Sequence, residues 1–424
     1  MIEILYIAIQ VIFILSLTYL ILPSSVYQKQ LSYSLADALS INSIFLINIL
    51  LLFSFTDLNG IYLLIILLIT SMFFLIKKNY KLNINYKSQV ILVALLIFFL
   101  SIPLANTLDL GWDAKFFWFL KTLNFYQDQG IYNLNRVPAF DYPHLGSYIW
   151  SFFWKFPFDK FEYLGRIYYI CFYVISIFSF FEIFKISNLQ KIILIILTIL
   201  TTYSLELFSG NQEVLIFSLV LLSAKFSYSI FSSQTKANEK TKIIFFLLLI
   251  LNAASWIKME GLFFISIALF AIFVLANISK NQKILLIAGM FLVVLSRLLF
   301  FKIFSADLES FQFEKTLNTV SVGGIIASIK IIVFYAFVYL TQMPILLIGL
   351  LLFVYNFYMY KIDKFQLFIC WYAIFNILFI FAAFIFSMEN VEWQVRVGLK
   401  RVIFQTSGFY LLTLVYLLNK ISKK

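Results

Sequence analysis

Apolar runs of about 20 residues recur from one end of this chain to the other, and this feature constrains its fold most strongly. An α-helix needs a run of that length to cross the hydrocarbon of a bilayer, where every backbone polar group must be bonded within the chain. With 63% hydrophobic and only 12% charged residues, the sequence has no room for a sizeable soluble domain. It therefore predicts an all-α integral membrane protein.

Thirteen apolar spans are predicted, and short connections that are rich in Lys or Arg alternate with cation-poor ones. The spans are 2–22, 37–56, 61–76, 90–108, 163–184, 191–207, 212–231, 243–257, 261–278, 284–304, 337–360, 365–386 and 401–418. The positive-inside rule places the cation-rich connections in the cytoplasm. They are 77–87, 185–191, 236–242, 280–283 and 361–364. We interpret 323–333 as a surface helix, because two crossings within 325–360 would put Lys361 and Lys364 outside.

The net charge of +12 resides largely in these connections, so membrane topology accounts for it and no nucleic-acid partner is expected. The first apolar run has neither a basic leader nor a small-residue cleavage site, and we expect it to be a retained helix. The same topology places the long segment 109–160 outside.

This external segment contains five Asp residues and the only histidine, His144. Bulky residues recur at helical spacing in 112–126 and again in 145–156. Both stretches are too short and too polar to span a bilayer, and their aromatic content is typical of helices that lie in the interface. We therefore expect an elbow on the membrane surface.

Asp113 and Asp141 are the candidate catalytic groups of this elbow. Asp113 directly follows the fourth span, where a carboxylate could remove a proton from an attacking hydroxyl. The alternative is that it caps the helix beginning at Ala114. For Asp141, which precedes Tyr142, the alternative is an Asx turn that fixes the loop.

Charged residues at the outer ends of later spans should converge on the same face, since ionisable groups at membrane depth persist where they are paired, hydrated or functional. Glu213 begins the seventh span, where favourable placement at a helix N-terminus is the alternative. Lys258 and Glu260 form a charged pair at a span boundary. Lys258 could meet a phosphate while Glu260 orients it, or the two residues could form a salt-bridged turn. Arg401 begins the last span and offers a planar fork for phosphate oxygens, although interfacial anchoring is its alternative. His144 alone cannot form a metal site, and we expect it to have a packing or hydrogen-bonding role.

As a set, these motifs resemble the GT-C class of polytopic glycosyltransferases, in particular the bacterial group of protein O-mannosyltransferases and aminoarabinose transferases. The resemblance covers about residues 91–418. The matching features are Gly-Trp-Asp-Ala at 111–114 with Trp118 and Lys121, Asp-Tyr-Pro at 141–143, Gly210 to Glu213, Lys-Met-Glu-Gly at 258–261, and Glu392-Trp393 leading to Arg401. The chain departs from the expected pattern at Glu213 and Met259, and no Pro follows Arg401.

The resemblance implies an inverting transfer of a sugar from a polyprenyl-phosphate carrier to a lipid, glycan or protein acceptor on the external face. It implies that Asp113 is the general base and Asp141 a second active-site carboxylate. Lys258 and Arg401 would contact the carrier phosphate. The supporting residues would be Glu213, Glu260, Lys121, Tyr142 and His144. No cofactor is certain; a divalent metal ion, if bound, would use Asp113 and Asp141.

On this interpretation, residues 1–89 form a three-helix membrane extension and 90–424 the catalytic region, with 109–162 as the external catalytic elbow. We expect the bacterial inner membrane as the location, with the active site facing the periplasm. Two other functions are compatible with a chain of this kind: a transporter or lipid-linked oligosaccharide flippase, and an O-antigen polymerase or ligase. The few mid-span charges and the early position of the elbow favour the glycosyltransferase.

Overall fold

The protein is an all-helical membrane protein. The computed structural model describes residues 2–21, 34–77, 87–106, 109–184, 186–232, 235–303, 322–359, 362–386 and 390–421. Parts of the cation-rich connections 77–87, 185–191 and 361–364 therefore lie outside the described residues, as does all of 304–321. Within the described ranges there is no strand, and nine helices are long and apolar enough to cross a membrane, with four shorter apolar helices beside them.

Most of the predicted spans correspond to one helix each. The α-helices are α1 Ile2–Leu20, α2 Leu35–Ser54, α3 Gly60–Lys77, α4 Lys87–Asn106, α5 Phe119–Tyr126, α6 Leu145–Lys155, α7 Tyr163–Phe181, α8 Asn188–Thr202, α9 Glu213–Phe231, α10 Ala237–Ile257, α11 Met259–Leu275, α12 Lys280–Ile303, α13 Val322–Thr341, α14 Pro344–Met359, α15 Lys364–Ile385, α16 Val391–Gln394 and α17 Lys400–Ile421. Two π-helical segments, Ala114–Trp118 and Val395–Leu399, precede α5 and α17. Two 3₁₀ turns, Ile131–Arg136 and Leu205–Leu207, complete the described elements.

The centre of the bundle is α7, every residue of which is buried. It packs against α1, α2, α4, α6 and α9. A helix that is bulky and largely apolar around its circumference is stable only where neighbours cover all its faces. The sequence of α7 thus explains its central position.

The N-terminal helices pack directly on this centre. In α2, 83% of the membrane-length window is buried, and the helix contacts α7 and α10. The Asp37 carboxylate accepts from the Lys225 ammonium of α9 and from Ser179 Oγ of α7 at 2.8 Å. Lys225 Nζ also donates to Ser179 Oγ at 2.7 Å. A buried ion pair therefore joins α2 to two helices of the 90–424 region.

The elbow contains the two predicted helices, and the second is enclosed by other helices. Residues 112–126 are helical, with the π-helical segment inside them, and Trp112 remains 63% exposed. In α6, by contrast, all residues from Leu145 to Phe153 are buried against α2, α5, α7 and α10. The protein thus encloses α6 from Leu145 to Phe153, and the placement of 145–156 at the membrane interface stays a prediction.

The predicted division of 325–360 is also wrong. A single helix, α13, extends from Val322 to Thr341 and is long enough to cross a membrane, and the break falls at Gln342 and Met343. Pro344 begins α14. Proline disfavours helical geometry in the residue before it and suits the first position of a helix, so it places the break here.

Candidate functional site

Four charged side chains from distant parts of the sequence meet at one end of the bundle. The Lys258 ammonium lies 2.7 Å from Oε1 of Glu213, and the same oxygen lies 3.4 Å from the Arg401 guanidinium. Arg401 also forms an ion pair with Asp113. Lys258 is in addition 3.4 Å from Glu260. Five predicted residues from four separate span ends thus form one ion-pair network, which we call the charged cluster.

A close backbone contact positions Asp113 beside the start of α9. The Gly111 amide donates to the Ser209 carbonyl at 2.8 Å, so the loop after α4 is attached to the loop before α9. A Cβ at Gly111 would lie 2.9 Å from the Asn211 side-chain nitrogen. Since real Cβ atoms essentially never approach so closely, glycine permits the contact. Asp113 and Glu213 consequently stand on adjacent segments.

Asp113 does not cap a helix. It already has helical backbone geometry, and its side chain makes no capping hydrogen bond to the π-helical segment that follows. Its carboxylate instead binds Arg401, with about a fifth of each side chain exposed. The capping alternative is therefore wrong for Asp113. Both members of this pair adjoin π-helical segments, which occur frequently at functional sites.

Lys258 occupies the junction between α10 and α11. Its extended backbone, with φ −152° and ψ 145°, ends one helix and begins the next, so the side chain points into the cluster. Burial alone would lower the pKa of Lys258, but Glu213 and Glu260 outweigh it and raise that pKa. The salt-bridged turn with Glu260 predicted as the alternative is present, and Glu213 extends it to a third helix.

The elbow brings Tyr142, the neighbour of Asp141, close to the charged cluster. The buried Lys121 ammonium donates to the Tyr142 carbonyl at 2.8 Å and so holds the loop 139–143 against α5. Burial raises the pKa of the Tyr142 hydroxyl, and so do the nearby Glu260 and Asp141 charges. Tyr142 is thus close to both Asp141 and the charged cluster.

The Lys121 side chain has an unusually low pKa. Burial is the largest effect and lowers its pKa, Asp141 opposes the shift and Arg297 adds to it, and together they bring the pKa from 10.5 to about 7. The ammonium also faces the Trp118 ring at 5.4 Å. Near neutral pH, this side chain is therefore partly uncharged.

His144 has the structural role expected from the sequence. It is fully buried, and its Nε2 is 2.8 Å from Ser54 Oγ. The rings of Phe55 and Trp256 meet it edge-on, with centroids at 5.5 and 5.4 Å. Burial lowers the pKa of His144, as do Lys121 and Arg297. The imidazole is thus neutral and belongs to the packing beneath the elbow.

Two functional candidates were missed from the sequence. Glu206 was assigned to the end of a span, but it lies in a 3₁₀ turn beside Glu213, and burial together with that charge raises its pKa. Asn211 donates to it at 3.0 Å. Arg297 lies within a predicted apolar span and was not singled out from the sequence. Its guanidinium is buried and close to Asp141. A lone ionisable residue within a long apolar run was the available signal for each.

Several buried polar atoms near the cluster have no hydrogen-bond partner among the described residues. They are Glu213 Oε2, Asn211 Oδ1, Gln212 Oε1, and both amide atoms of Gln405. Such groups in a native protein usually bind water, an ion or a ligand. The start of α9 and the first turns of α17 therefore present free donors and acceptors next to the ion pairs.

The described part of the chain offers no group of three or more His, Cys, Asp and Glu side chains arranged for a metal ion. The Asp113 carboxylate, one of the two predicted metal ligands, is bound to Arg401. We therefore derive no chemical step through a metal.

Comparison with known proteins adds no identification: no protein-family model, no curated protein and no solved structure matches this chain. The arrangement of the charged cluster must carry the functional argument.

Proposed function

We propose that this protein is a membrane glycosyltransferase that moves a sugar from a polyprenyl-phosphate carrier to a hydroxyl-bearing acceptor. The observation that carries the proposal is the charged cluster itself. A carboxylate able to accept a proton and two cations able to bind phosphate oxygens come from three separate segments, and Glu213 of a fourth segment bridges the two cations beside the elbow. Structural ion pairs alone do not require so many distant segments to converge on one point.

In the proposed reaction, Asp113 removes the proton of an acceptor hydroxyl. The hydroxyl oxygen forms the new bond to the anomeric carbon while the bond from that carbon to the phosphate oxygen breaks, with inversion. The electron pair stays on the phosphate, whose developing charge Lys258 and Arg401 stabilise. The phosphate is already a leaving group, so the protein positions the reactants, takes one proton and balances one charge.

The ion pairs imply an exchange when the donor binds. Arg401 is bound to Asp113 and Glu213, so a phosphate that takes the guanidinium competes with these carboxylates. Arginine can bind an oxyanion through two parallel N–H groups, which allows such competition. Arrival of the donor would then release Asp113 to act as a base.

The test is an assay for free polyprenyl phosphate, released by purified protein from a panel of polyprenyl-phosphate sugars. We expect Asp113→Asn to slow release about 10²- to 10⁴-fold, the usual contribution of a general base. Asp109→Asn is the matched control, because the Asp109 carboxylate is 90% exposed and its ion-pair partner among the described residues is the exposed Lys115. An arm with EDTA tests the need for a metal.

An unchanged rate in a folded Asp113→Asn protein would move the catalytic role to Asp141. Absence of release with every donor would favour the transporter instead. A transporter could use the buried ion pair of Asp37 and Lys225. However, Ser179 of α7 hydrogen-bonds to both members of this pair, and Ser40 of α2 hydrogen-bonds to Ser179.

A further inference from the structure

Arg297, on α12, is a buried cation whose terminal nitrogens bond to none of the residues that the structure describes. The residue is 5% exposed, and neither Nη1 nor Nη2 has a hydrogen-bond partner among the described residues. Removing a charge from water costs several kcal/mol unless it is paired or bonded, on the order of the whole stability of many proteins. A charged group of this kind is therefore expected to meet a bound anion or water.

Aromatic rings hold the guanidinium in place without using its N–H groups. Its central carbon lies 4.5 Å from the ring centroid of Trp256, 5.4 Å from Phe300 and 5.0 Å from Phe301. Ring faces attract the cation but offer no lone pair to the hydrogen-bonding fork. The cage therefore fixes the orientation of Arg297 and leaves its donors available.

The charge around Arg297 also favours an anion. Lys121, which is charged only in part near neutral pH, is a second buried basic group within its electrostatic reach, and the Asp141 carboxylate acts on both. The charged cluster has the opposite balance, with Asp113, Glu213 and Glu260 against two cations. An incoming anion must displace a carboxylate there, whereas the Nη groups of Arg297 are free to receive it.

The Arg297 cage and the charged cluster adjoin the same part of the chain. Trp256, which stacks on Arg297, lies two residues before Lys258 in the sequence, at the end of α10. The charges of Asp113, Lys258 and Glu260 act on Tyr142, and so does that of its neighbour Asp141, which also acts on Arg297. The 141–142 loop is therefore near both the charged cluster and the Arg297 cage.

We propose that Arg297 anchors an oxyanion-binding subsite, separate from the charged cluster, that takes a phosphate or carboxylate group of the ligand. The binding itself stands without the proposed function; only the assignment of the anion to the donor or the acceptor rests on glycosyl transfer. A lipid-linked phosphate and an acidic sugar have the same recognition chemistry at this point, a planar fork against two oxygens.

The experiment uses the tryptophan that Arg297 contacts as a reporter. Purified full-length protein in detergent is titrated with farnesyl phosphate, farnesol, glucuronate, glucose and inorganic phosphate while tryptophan fluorescence is followed. Trp256→Phe identifies the part of the signal that comes from the cage. We expect an oxyanionic probe to change the Trp256 signal and its neutral counterpart to leave it unchanged. Farnesyl phosphate alone would assign the subsite to a lipid phosphate, and glucuronate alone to an acidic acceptor.

Arg297→Gln should weaken binding of that probe roughly 10- to 100-fold, the worth of hydrogen bonds to a charged group. Arg297→Lys keeps the charge but loses the fork, so we expect an intermediate loss. Arg396→Gln is the matched control, because the Arg396 side chain is 60% exposed and pairs with Glu392.

The proposal is overturned if wild type binds none of the oxyanionic probes, or if a folded Arg297 variant binds them as wild type does. If Arg297→Gln does not fold, Arg297→Lys decides. Binding that depends on Arg297 while no donor releases polyprenyl phosphate would refute glycosyl transfer and leave the subsite standing.

Discussion

The buried pair of Asp37 and Lys225 offers the sharpest stability test of the fold. Their side chains are 8% and 6% exposed, and Ser179 bonds to both. Replacing Asp37 by Leu leaves the Lys225 ammonium buried without its counter-ion, and removal of one partner from such a pair costs about 3–5 kcal/mol. The loss should fall on the contact between α2 and α9.

The double variant separates pairing from mere burial. Asp37→Leu with Lys225→Met removes both charges and keeps much of the side-chain volume, and such replacements are often neutral or stabilising by about 1–4 kcal/mol. The double variant should therefore be more stable than either single one, although each single change is harmful. Asp109→Asn, at an exposed pair, should cost at most about 1 kcal/mol.

The measurement is reversible unfolding of purified protein in mixed micelles, followed by tryptophan fluorescence, with a full double-mutant cycle. The reasoning is refuted if Asp37→Leu costs no more than Asp109→Asn, or if the double variant is less stable than both single ones. The result also bears on the predicted domain boundary at residue 89, because this pair connects the two sides of it.

Three further predictions concern the site and its support. Gly408→Val should destabilise the protein by about 1–3 kcal/mol in thermal unfolding, because a Cβ at this position would lie 2.7 Å from the backbone of α9. Gly323→Ala is the control: its Cβ meets open space, so the change should be neutral or stabilising. Glu213→Gln removes the carboxylate that bridges Lys258 and Arg401, which keep Glu260 and Asp113 as partners, and should cost about 1.5–3 kcal/mol in denaturant titration, with the exposed Glu392→Gln as its control. Lys121 has a folded pKa of about 7 against an ordinary 10.5, so the unfolded chain binds more protons between these values. The free energy of unfolding should therefore rise with pH across that window, by up to about 4–5 kcal/mol, and Lys121→Met should remove the rise when melting is measured from pH 7 to 10.

The convergence of the charged residues could be predicted from the sequence because span alternation assigns each connection to a side of the membrane. Asp113, Glu213, Lys258 and Arg401 were each placed at outer span ends, and the structure brings them together. Which carboxylate binds which cation could not be predicted. That choice depends on the rotation of each helix about its axis, and the near-uniform hydrophobicity of these spans carries little information about rotation.

Other features escaped prediction for physical reasons of their own. Arg297 and Lys225 lie within apolar runs, where a single charge barely changes the average hydrophobicity. The burial of α6 depends on how closely α2 and α7 approach it, which is a tertiary property. The break between α13 and α14 at Gln342 and Met343 could have been predicted, since Pro344 follows it in the sequence.

The π-helical segments beside Asp113 and Arg401 have a consequence for how this site tolerates change. Each carries one residue more than the α-helical path would need, and a residue in a helix turns the chain by about 100°. Losing a single residue from either segment would restore the α-helical register and swing the adjoining charge to another side of its helix. The ion pair between Asp113 and Arg401 thus depends on the rotation of each residue about its helix axis. An insertion or deletion of one residue can break this pair without altering any charged side chain.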